Sequence, residues 1–278
     1  MAKLPSMSAT TERVTVYIPT RNRVDLLRQA LASVEAQTYP QIEIIVVDDG
    51  SDDGTAAYLA SYGSRHSFRW FRNGNPLGAN AARNTAIRHA SGRFITGLDD
   101  DDRFHPDRVR RLMSAWDERW SMLTSDDILT TAAGDVRWRK RRVITADDLL
   151  FRNRIGNQVL TLRERVIEVG LFDESLTAAQ DHDLWIRLAL RFGDALSLPE
   201  ALQTVRATSA GDRITTGRNT GYYDLYLKHK SRMSRAQRAF HVYTIRRQQG
   251  KGHNLCEFLS WVPMRFLPME LRKAWLRI

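Results

Sequence analysis

Short β-branched apolar runs alternate with amphipathic stretches along the first hundred residues. The apolar runs are typical of strands buried on both faces of a parallel sheet, and the amphipathic stretches place apolar side chains at helical spacing. This pattern predicts strands over residues 14–18, 42–47, 68–71 and 93–98, and helices over 24–37, 54–61 and 79–89. Because strand and helix alternate four times with short connections, we expect an α/β fold with a mostly parallel sheet and right-handed crossovers.

The alternation loosens beyond residue 102. We predict helices over 106–119, 146–152 and 166–170 and from residue 180, strands around the turn at 133–135 and over 158–162, and a long basic helical region over 222–248. These boundaries divide the chain into a polar tail (1–12), an α/β domain (13–215, with halves 13–104 and 105–215) and a helical, basic C-terminal extension (216–278).

Polar residues follow three of the predicted strands at their carboxyl ends. These residues are Thr20-Arg21-Asn22, Asp48-Asp49 and Asp99–Asp102. In open α/β sheets, ligands bind beyond the carboxyl ends of the strands, so we expect the three segments to meet in one crevice. Neither the glycine-rich dinucleotide fingerprint nor the P-loop motif occurs in the chain. A phosphorylated ligand would therefore have to be neutralised by a metal ion and by basic side chains.

The row Asp99–Asp102 is the most distinctive of these segments. Four adjacent carboxylates repel one another unless positive charge lies among them. Mn²⁺ and Mg²⁺ bind carboxylate oxygens and keep positions open for substrate phosphates. The row therefore indicates a metal site for a phosphorylated ligand, with a solvated acidic loop or a helix N-cap as the alternative.

A second polar cluster, Asp181-His182-Asp183, opens a predicted helix. Carboxylates at a helix start are typical N-capping groups, and one of the two aspartates could instead be a general base in the crevice. His182 and the distant His229 are either structural or ligands of metal or phosphate. Trp185 lies on the apolar face of this helix, where it belongs to the core or lines a sugar site.

Composition limits the class of protein. The chain has 278 residues, 42% of them hydrophobic, and its single cysteine excludes an internal disulfide, which is typical of a reducing cytoplasm. Residues 1–12 lack the apolar core of a signal peptide, and no apolar run is long enough to span a bilayer. The net charge of +10 favours anionic partners: nucleic acid, acidic lipid headgroups or phosphorylated substrates.

Basic and aromatic residues are interleaved over residues 255–278. Such a segment suits an anionic membrane surface, to which it would hold the protein peripherally. It could equally pack back on the domain or on a partner subunit.

The order and spacing of the motifs resemble those of family 2 glycosyltransferases with the GT-A fold. The matching segments are 14–22, 46–55, Asn75-Pro76-Leu77-Gly78, Ala82-Arg83-Asn84, Gly97–Asp102 and Gln180–Leu184. They cover residues 14 to about 192. Segments 155–159, 178–183 and 228–230 are similar to those of bacterial colanic acid and lipopolysaccharide-type glycosyltransferases. The resemblance implies a single Rossmann-like, mostly parallel sheet with flanking helices, whose first half binds the nucleotide-sugar and whose second half binds the acceptor.

The resemblance also implies a donor site. It would place the nucleotide against Pro19, Thr20, Arg21, Asp49, Arg83, Asp99 and Asp100. Asp49 would accept a hydrogen bond from the uracil or thymine N–H, and Arg83 would stand near the base or diphosphate. Asp99 and Asp101 match the two ends of the family's D-x-D motif. They would hold Mn²⁺ or Mg²⁺, with Asp101 on the metal and Asp99 beside the ribose.

Asp181 matches the catalytic base of inverting members of the family. The family commonly has Glu before this residue, where the chain has Gln180. The Q-x-x-R-W motif and membrane spans of processive members are missing, which implies addition of a single sugar. Arg206 and Arg213 flank or lie in a Ser/Thr/Gly-rich segment, 207–217, and are candidate diphosphate clamps on a lid.

The expected function is transfer of one sugar from a UDP- or dTDP-linked donor to a hydroxyl of a bacterial surface polysaccharide or lipopolysaccharide. The acceptor would be lipid-linked or a polysaccharide at the cytoplasmic face of the inner membrane. A nucleotidyltransferase is one alternative, but it would normally carry a glycine-rich phosphate loop. A basic nucleic-acid-binding module is another, but it gives Asp99–Asp102 no purpose, so we expect no nucleic-acid partner. The sugar, the acceptor hydroxyl and the oligomeric state stay open.

Overall fold

The computed structural model describes residues 12–206, 218–250 and 255–267. Its strands are β1 (Val14–Thr20), β2 (Ile42–Asp48), β3 (Ser67–Arg72), β4 (Phe94–Gly97), β5 (Arg103–Phe104), β6 (Leu123–Thr131), β7 (Gly134–Trp138), β8 (Val143–Ile144), β9 (Leu160–Leu162) and β10 (Ala195–Arg206). Its helices are α1 (Val24–Glu35), α2 (Thr55–Ala60), α3 (Ala79–His89), α4 (Arg108–Ser114), α5 (Ala146–Phe151), α6 (Arg163–Glu168), α7 (Gln180–Phe192), α8 (Arg218–His229), α9 (Arg235–Gln248) and α10 (Leu255–Trp261). Two 3-10 turns, Lys230–Arg232 and Met264–Phe266, complete the described elements.

The strands form one mixed sheet in the order β3-β2-β1-β4-β9-β6-β10-β5, with β7 paired to β6 and β8 to β10. Strands β1 to β4 are parallel to one another, as the sequence predicts. Strand β9 is antiparallel to β4 and β6 and joins this half to the parallel pair β6 and β10. The register pairs Thr20 with Asp48 and Tyr17 with Gly97, so the carboxyl ends of β1, β2 and β4 lie side by side.

Apolar cores pack on both faces of the sheet. Helix α1 buries Leu27, Leu31 and Val34 against one face. On the other face, α3 contributes Ala82, Ala86 and Ile87, and α7 contributes Leu184, Trp185 and Leu188. The helical periodicity of the sequence therefore identifies most core-facing positions of α1 and α7, whereas Leu190 of α7 is 39% exposed.

Strand β10 is the longest element that the sequence pattern fails to predict, and the short strand β5 is missed as well. Pro199 and Glu200 interrupt the apolar run of β10. In the sheet, the register between β10 and β6 shifts between Leu198 and Ala201 and again before Gln203. A proline cannot donate to a strand ladder and is tolerated at such irregularities. The helix predicted over 106–119 is also shorter than expected and ends at Ser114.

The described part of the C-terminal extension packs on the α/β domain. Phe258, Val262 and Phe266 are buried in a small cluster with Phe151, Phe240 and Tyr243. The rings of Phe151 and Phe266 meet edge to face, with centroids 5.3 Å apart. Packing on the domain, one of the two alternatives for this segment, therefore holds for residues 255–267. The rest of the basic aromatic tail, residues 268–278, lies outside the described residues.

Candidate active site

A cleft of about 290 Å³ opens at the carboxyl ends of β1 and β4. Its lining combines Pro19, Arg23, Arg83 and Asp99–Asp102 from the parallel half with Asp127, Trp138, Gly156, Asn157, Gln180 and Arg206 from later elements. Of the three polar strand ends, only Asp99–Asp102 lines this cleft, and Pro19 and Arg23 flank the segment Thr20-Arg21-Asn22.

Each of the four acids has a different environment. Asp99 accepts hydrogen bonds from Arg83 at 2.8 Å and from Asn157 at 3.0 Å. Asp100 is buried and accepts from the Thr20 hydroxyl at 2.8 Å. One Arg23 nitrogen lies 3.3 Å from Asp100 Oδ1 and 3.1 Å from Asp101 Oδ2. Arginine side chains thus balance part of the negative charge.

Asp102 is held from three sides. Asn157 donates to its Oδ2 at 2.6 Å, Gln203 donates to the same oxygen at 3.2 Å, and the Arg206 backbone N–H donates to its Oδ1 at 2.9 Å. Asp102 therefore joins the end of β4 to the end of β10. No motif in the sequence predicts a role for Asn157 or Gln203 in the site. Asn157 lies in a segment that resembles the family, whereas Gln203 lies in the unpredicted strand.

Burial and mutual repulsion raise the pKa values within the row. Burial raises the pKa of Asp100 to about 7, against the opposing charge of Arg23. Burial and the charge of Asp99 raise the pKa of Asp101. Burial, Asp99 and Asp101 raise the pKa of Asp102 well above its usual range. Positive charge added to the row would favour the ionised forms of these acids.

A hard divalent cation fits the two more exposed acids, Asp99 and Asp101, best. The side chains of Asp99 and Asp101 are 23% and 16% exposed, whereas that of Asp100 is 1% exposed. Within the described ranges, no group of three His, Cys, Asp or Glu side chains is assembled for a metal. A cation on Asp99 and Asp101 would therefore complete its shell with water or substrate oxygens, as Mg²⁺ commonly does.

A smaller pocket of about 250 Å³ adjoins the cleft and shares Ala79 and Gln180 with it. Arg21 and Asp49 both line it. The Asp49 carboxylate already accepts hydrogen bonds from the Asn73 side chain at 2.7 Å and from the backbone N–H groups of Leu77 and Gly78, both at 2.8 Å. Both acceptor positions of Oδ1 are thereby used, and Oδ2 keeps one for a ligand N–H.

Asp181 has a buried carboxylate oxygen, Oδ1, without a hydrogen-bond partner among the described residues. Burial raises the pKa of Asp181 to about 7, while Arg83 lowers it and Asp99 raises it. An unsatisfied buried carboxylate oxygen is costly and therefore unusual. Its electrostatic partners Arg83 and Asp99 both line the cleft.

The N-capping interpretation of Asp181 and Asp183 is wrong. The N-cap residue of α7 is Ala179, and no side chain caps this helix. Asp183 is buried and binds His229 at 2.8 Å, Arg187 at 2.7 Å and Lys228 at 3.0 Å. These partners hold the pKa of Asp183 below its usual range, despite burial, and tie α7 to α8.

Both histidines proposed as ligands are structural. His229 is buried against Asp183, and His182 is buried with its Nε2 2.6 Å from the Leu149 carbonyl oxygen. Burial lowers the pKa of His182 to about 3. Trp185 does not line the sugar site either, because it is 1% exposed and donates its indole N–H to the Gly156 carbonyl at 3.0 Å.

The two arginines proposed as diphosphate clamps differ in what the structure shows. Arg206 ends β10 and lines the cleft. Arg213 and the segment 207–217 lie outside the described residues. Among the helices of the described ranges, none has the length and apolar character needed to cross a bilayer.

The fold is the GT-A fold. The mostly parallel sheet with flanking helices aligns with S. aureus TarS 1–349 in complex with UDP-GlcNAc at a TM-score of 0.68, with 15% identity over 90% of this chain and 78% of that one. It aligns with the Pyrobaculum calidifontis mannosyltransferase PcManGT, in complex with GDP-Man and Mn²⁺, at a TM-score of 0.57, with 20% identity over 96% of this chain and 70% of that one.

Sequence comparison identifies the family. The profile described as "Glycosyl transferase family 2" matches residues 15–174. The chain is 32% identical to Escherichia coli K12 WcaA, whose name provisionally assigns it to colanic acid biosynthesis as a glycosyl transferase, over 91% of this chain and 94% of WcaA. It is 26% identical to the Campylobacter jejuni GalNAc(5)-diNAcBac-PP-undecaprenol beta-1,3-glucosyltransferase over 77% of this chain and 71% of that protein. The chain therefore belongs to glycosyltransferase family 2.

Proposed function

We propose that the protein is an inverting, metal-dependent glycosyltransferase that moves one hexose from a UDP- or dTDP-linked donor to a hydroxyl of a bacterial surface polysaccharide or lipopolysaccharide. The observation that carries the proposal is the Asp99–Asp102 row in a cleft that also has arginines and lies beside the electrostatic partners of Asp181. Negative charge on a departing nucleotide diphosphate needs such positive groups, and an attacking hydroxyl needs a base.

The donor would bind across the cleft and the smaller pocket. Asp49 and Arg21 line the pocket that suits the base, and Pro19, Arg83 and Asp99 line the adjoining cleft. Thr20 is buried and acts through Asp100, which it orients at 2.8 Å. Mn²⁺ or Mg²⁺ on Asp99 and Asp101 would supply positive charge to the diphosphate. Arg206, at the rim of the same cleft, is placed to contact diphosphate oxygens.

Asp181 is the proposed catalytic base. Its carboxylate accepts the proton of the acceptor hydroxyl as that oxygen forms a bond to the anomeric carbon. The bond from the anomeric carbon to the diphosphate breaks on the opposite face, so the configuration inverts. Because burial raises the pKa of Asp181 to about 7, the carboxylate is a stronger base than an exposed aspartate.

The relatives support an acceptor of the surface-glycan type. The name of the Campylobacter jejuni relative states an acceptor joined to undecaprenol by a diphosphate, and that of WcaA states colanic acid biosynthesis. A lipid-linked acceptor would place the enzyme at the cytoplasmic face of the inner membrane. The net charge of +10 is consistent with an anionic membrane surface there.

The test is calorimetric titration of the protein with UDP and with dTDP, each with Mn²⁺ and with EDTA, followed by GDP and CDP. We expect metal-dependent binding of one nucleotide, and its loss in Asp101→Ala. The matched control is Asp25→Ala, because the Asp25 side chain is 92% exposed on α1. Failure of all four nucleotides to bind would refute the proposed donor site.

A further inference from the structure

The β6–β7 hairpin contributes two groups to the cleft that the donor site leaves unused. These are the Asp127 carboxylate on β6 and the Trp138 ring at the end of β7. Leu129, the next residue on the same face of β6, also lines the cleft. An acid, an indole and an aliphatic side chain therefore lie together at one end of the Asp99–Asp102 cleft.

Lys140 fixes the Asp127 carboxylate from behind. Its Nζ lies 2.8 Å from Asp127 Oδ2 and donates to the Thr124 hydroxyl at 3.2 Å. Both charged side chains are nearly fully buried, with 1% and 2% exposure. Lys140 Nζ also lies 4.9 Å from the centre of the Trp138 ring, so the same ammonium group contacts both members of the cluster.

The charge balance of the cluster argues against a second cation site. Lys140 already neutralises Asp127, and the buried Arg108 guanidinium acts on the same carboxylate. Arg108 itself has two nitrogens, Nε and Nη2, without partners among the described residues. A neutral, hydroxyl-bearing ligand suits this surrounding better than a metal ion, because a metal ion would be repelled by the positive charges of Lys140 and Arg108.

A buried ion pair also contributes little to stability. Its desolvation penalty offsets most of the attraction, so an apolar pair of similar volume would hold the hairpin as well. What such a pair does provide is an ionised acceptor at a fixed position. An ionised carboxylate accepts hydrogen bonds from two adjacent hydroxyls, and these bonds are stronger than those to neutral groups.

The cluster lies beside the proposed reaction centre. A Cβ at Gly156 would lie 3.2 Å from Asp127 Oδ2 and 3.2 Å from the Trp138 ring, so both groups approach this glycine closely. The next residue, Asn157, donates to Asp99 at 3.0 Å. The adjacent residues Gly156 and Asn157 therefore connect the cluster of Asp127 and Trp138 to the acid row.

From these contacts we infer that Asp127 and Trp138 form a pyranose-binding subsite. Asp127 accepts hydrogen bonds from adjacent sugar hydroxyls, the indole packs against the apolar face of the ring, and Lys140 is a positioning residue. This inference rests on the proposed function and deepens it, because the pyranose is either the sugar of the donor or the terminal sugar of the acceptor. The subsite therefore selects which sugar enters the cleft.

The test uses Trp138→Ala and the double variant Asp127→Asn/Lys140→Met. The double variant removes both members of the ion pair, so that neither Asp127 nor Lys140 is left as an unpaired buried charge, which would destabilise the protein by itself. The matched controls lie on the same hairpin outside the cleft: Val136→Ala, at a side chain that is 57% exposed, and Arg139→Met, which removes one positive charge. Thermal melting checks that every variant is folded.

Two measurements distinguish the sources of the sugar. Calorimetry compares the affinity for the free nucleotide that the protein binds with the affinities for its glucose, galactose and N-acetylglucosamine conjugates. Saturation-transfer NMR then measures the binding of methyl glycosides of the same sugars in the presence of nucleotide and Mn²⁺. We expect the sugar-dependent binding to weaken about tenfold or more in both subsite variants, with nucleotide binding and the controls unchanged.

Each outcome has one interpretation. Loss confined to the sugar-nucleotides identifies the donor sugar, and loss confined to the glycosides identifies the acceptor sugar. Unchanged sugar binding in both subsite variants overturns the subsite, as does a wild-type protein that binds nucleotide but no sugar in either form. Absence of nucleotide binding would instead contradict the proposed function.

Discussion

At the scale of the residue, the acids of the cleft differ because their neighbours differ. Thr20 and Arg23 hold Asp100, and Asn157 with Gln203 holds Asp102. Asp99 and Asp101 keep more exposure and remain the pair best placed for a cation. Identical side chains in one run thus divide into two buried acids, Asp100 and Asp102, and two more exposed acids, Asp99 and Asp101.

Asp181→Asn is expected to reduce sugar transfer by a factor of about 10² to 10⁴, because the amide cannot accept the acceptor proton as a base. Nucleotide binding should survive, since Asp181 is not required to hold the diphosphate. Radiolabelled or coupled assays of transfer, with titration of UDP or dTDP, measure the two properties separately. Loss of nucleotide binding along with transfer would make Asp181 a structural residue.

The same residue predicts a pH dependence. A base acts in its deprotonated form, so kcat/KM should rise as the pH increases through about 7, the raised pKa of Asp181, and then level off. A pH profile of the wild-type protein and of Asp181→Asn tests this. The residual activity of the variant should lack that rise, and a variant that keeps it would assign the titration to another group.

At the scale of the element, β4 and β1 are in close contact at Gly97, just before the acid row. A Cβ on Gly97 would meet the Gln158 side chain and would lie 2.6 Å from the Tyr17 ring. Gly97→Ala should therefore lower the free energy of unfolding by about 1–3 kcal/mol. Chemical denaturation measures this change. In Gly63→Ala, where nothing lies within 4 Å, we expect little effect; equal effects at both positions would contradict the packing argument.

The sequence pattern predicts some elements of the fold and misses others. The helix over Ala79–His89 follows from its alanine-rich composition, and the parallel strands β1, β2 and β4 follow from short, β-branched or apolar runs. Strand β10 has no such pattern around Pro199, and its pairing with β6 is decided by tertiary contacts. Gln203, which supports Asp102, could not be recognised without that strand.

At the scale of the whole molecule, the C-terminal extension has two possible roles that can be separated. Phe258, Val262 and Phe266 are buried on the domain, whereas Leu259 and Met264 are 55% and 83% exposed. Exposed apolar side chains on a basic segment are the ones available to an anionic membrane surface. Deletion of the segment tests packing and membrane binding together, and substitution of the exposed pair tests membrane binding alone.

We therefore expect deletion of residues 255–278 to lower the Tm, because each buried side chain contributes about 1.5–3 kcal/mol. Deletion should also reduce pelleting with vesicles of phosphatidylglycerol and phosphatidylethanolamine. Leu259→Ser/Met264→Ser should reduce pelleting without lowering the Tm. Unchanged pelleting of both proteins would refute the membrane-anchoring proposal.

The sequence by itself determined the class of the protein. Uninterrupted apolar runs specify buried strands, and the motifs at their ends identify the family, because both are local patterns read along the chain. The tertiary structure decided which acids of the row are more exposed in the cleft. It also decided that Asp127 and Trp138 line the cleft. The side chains that it shows to be structural are His182, Asp183, Trp185 and His229. These properties depend on burial and on partners distant in sequence, such as Asp102 with Gln203, and only the folded chain brings such partners together.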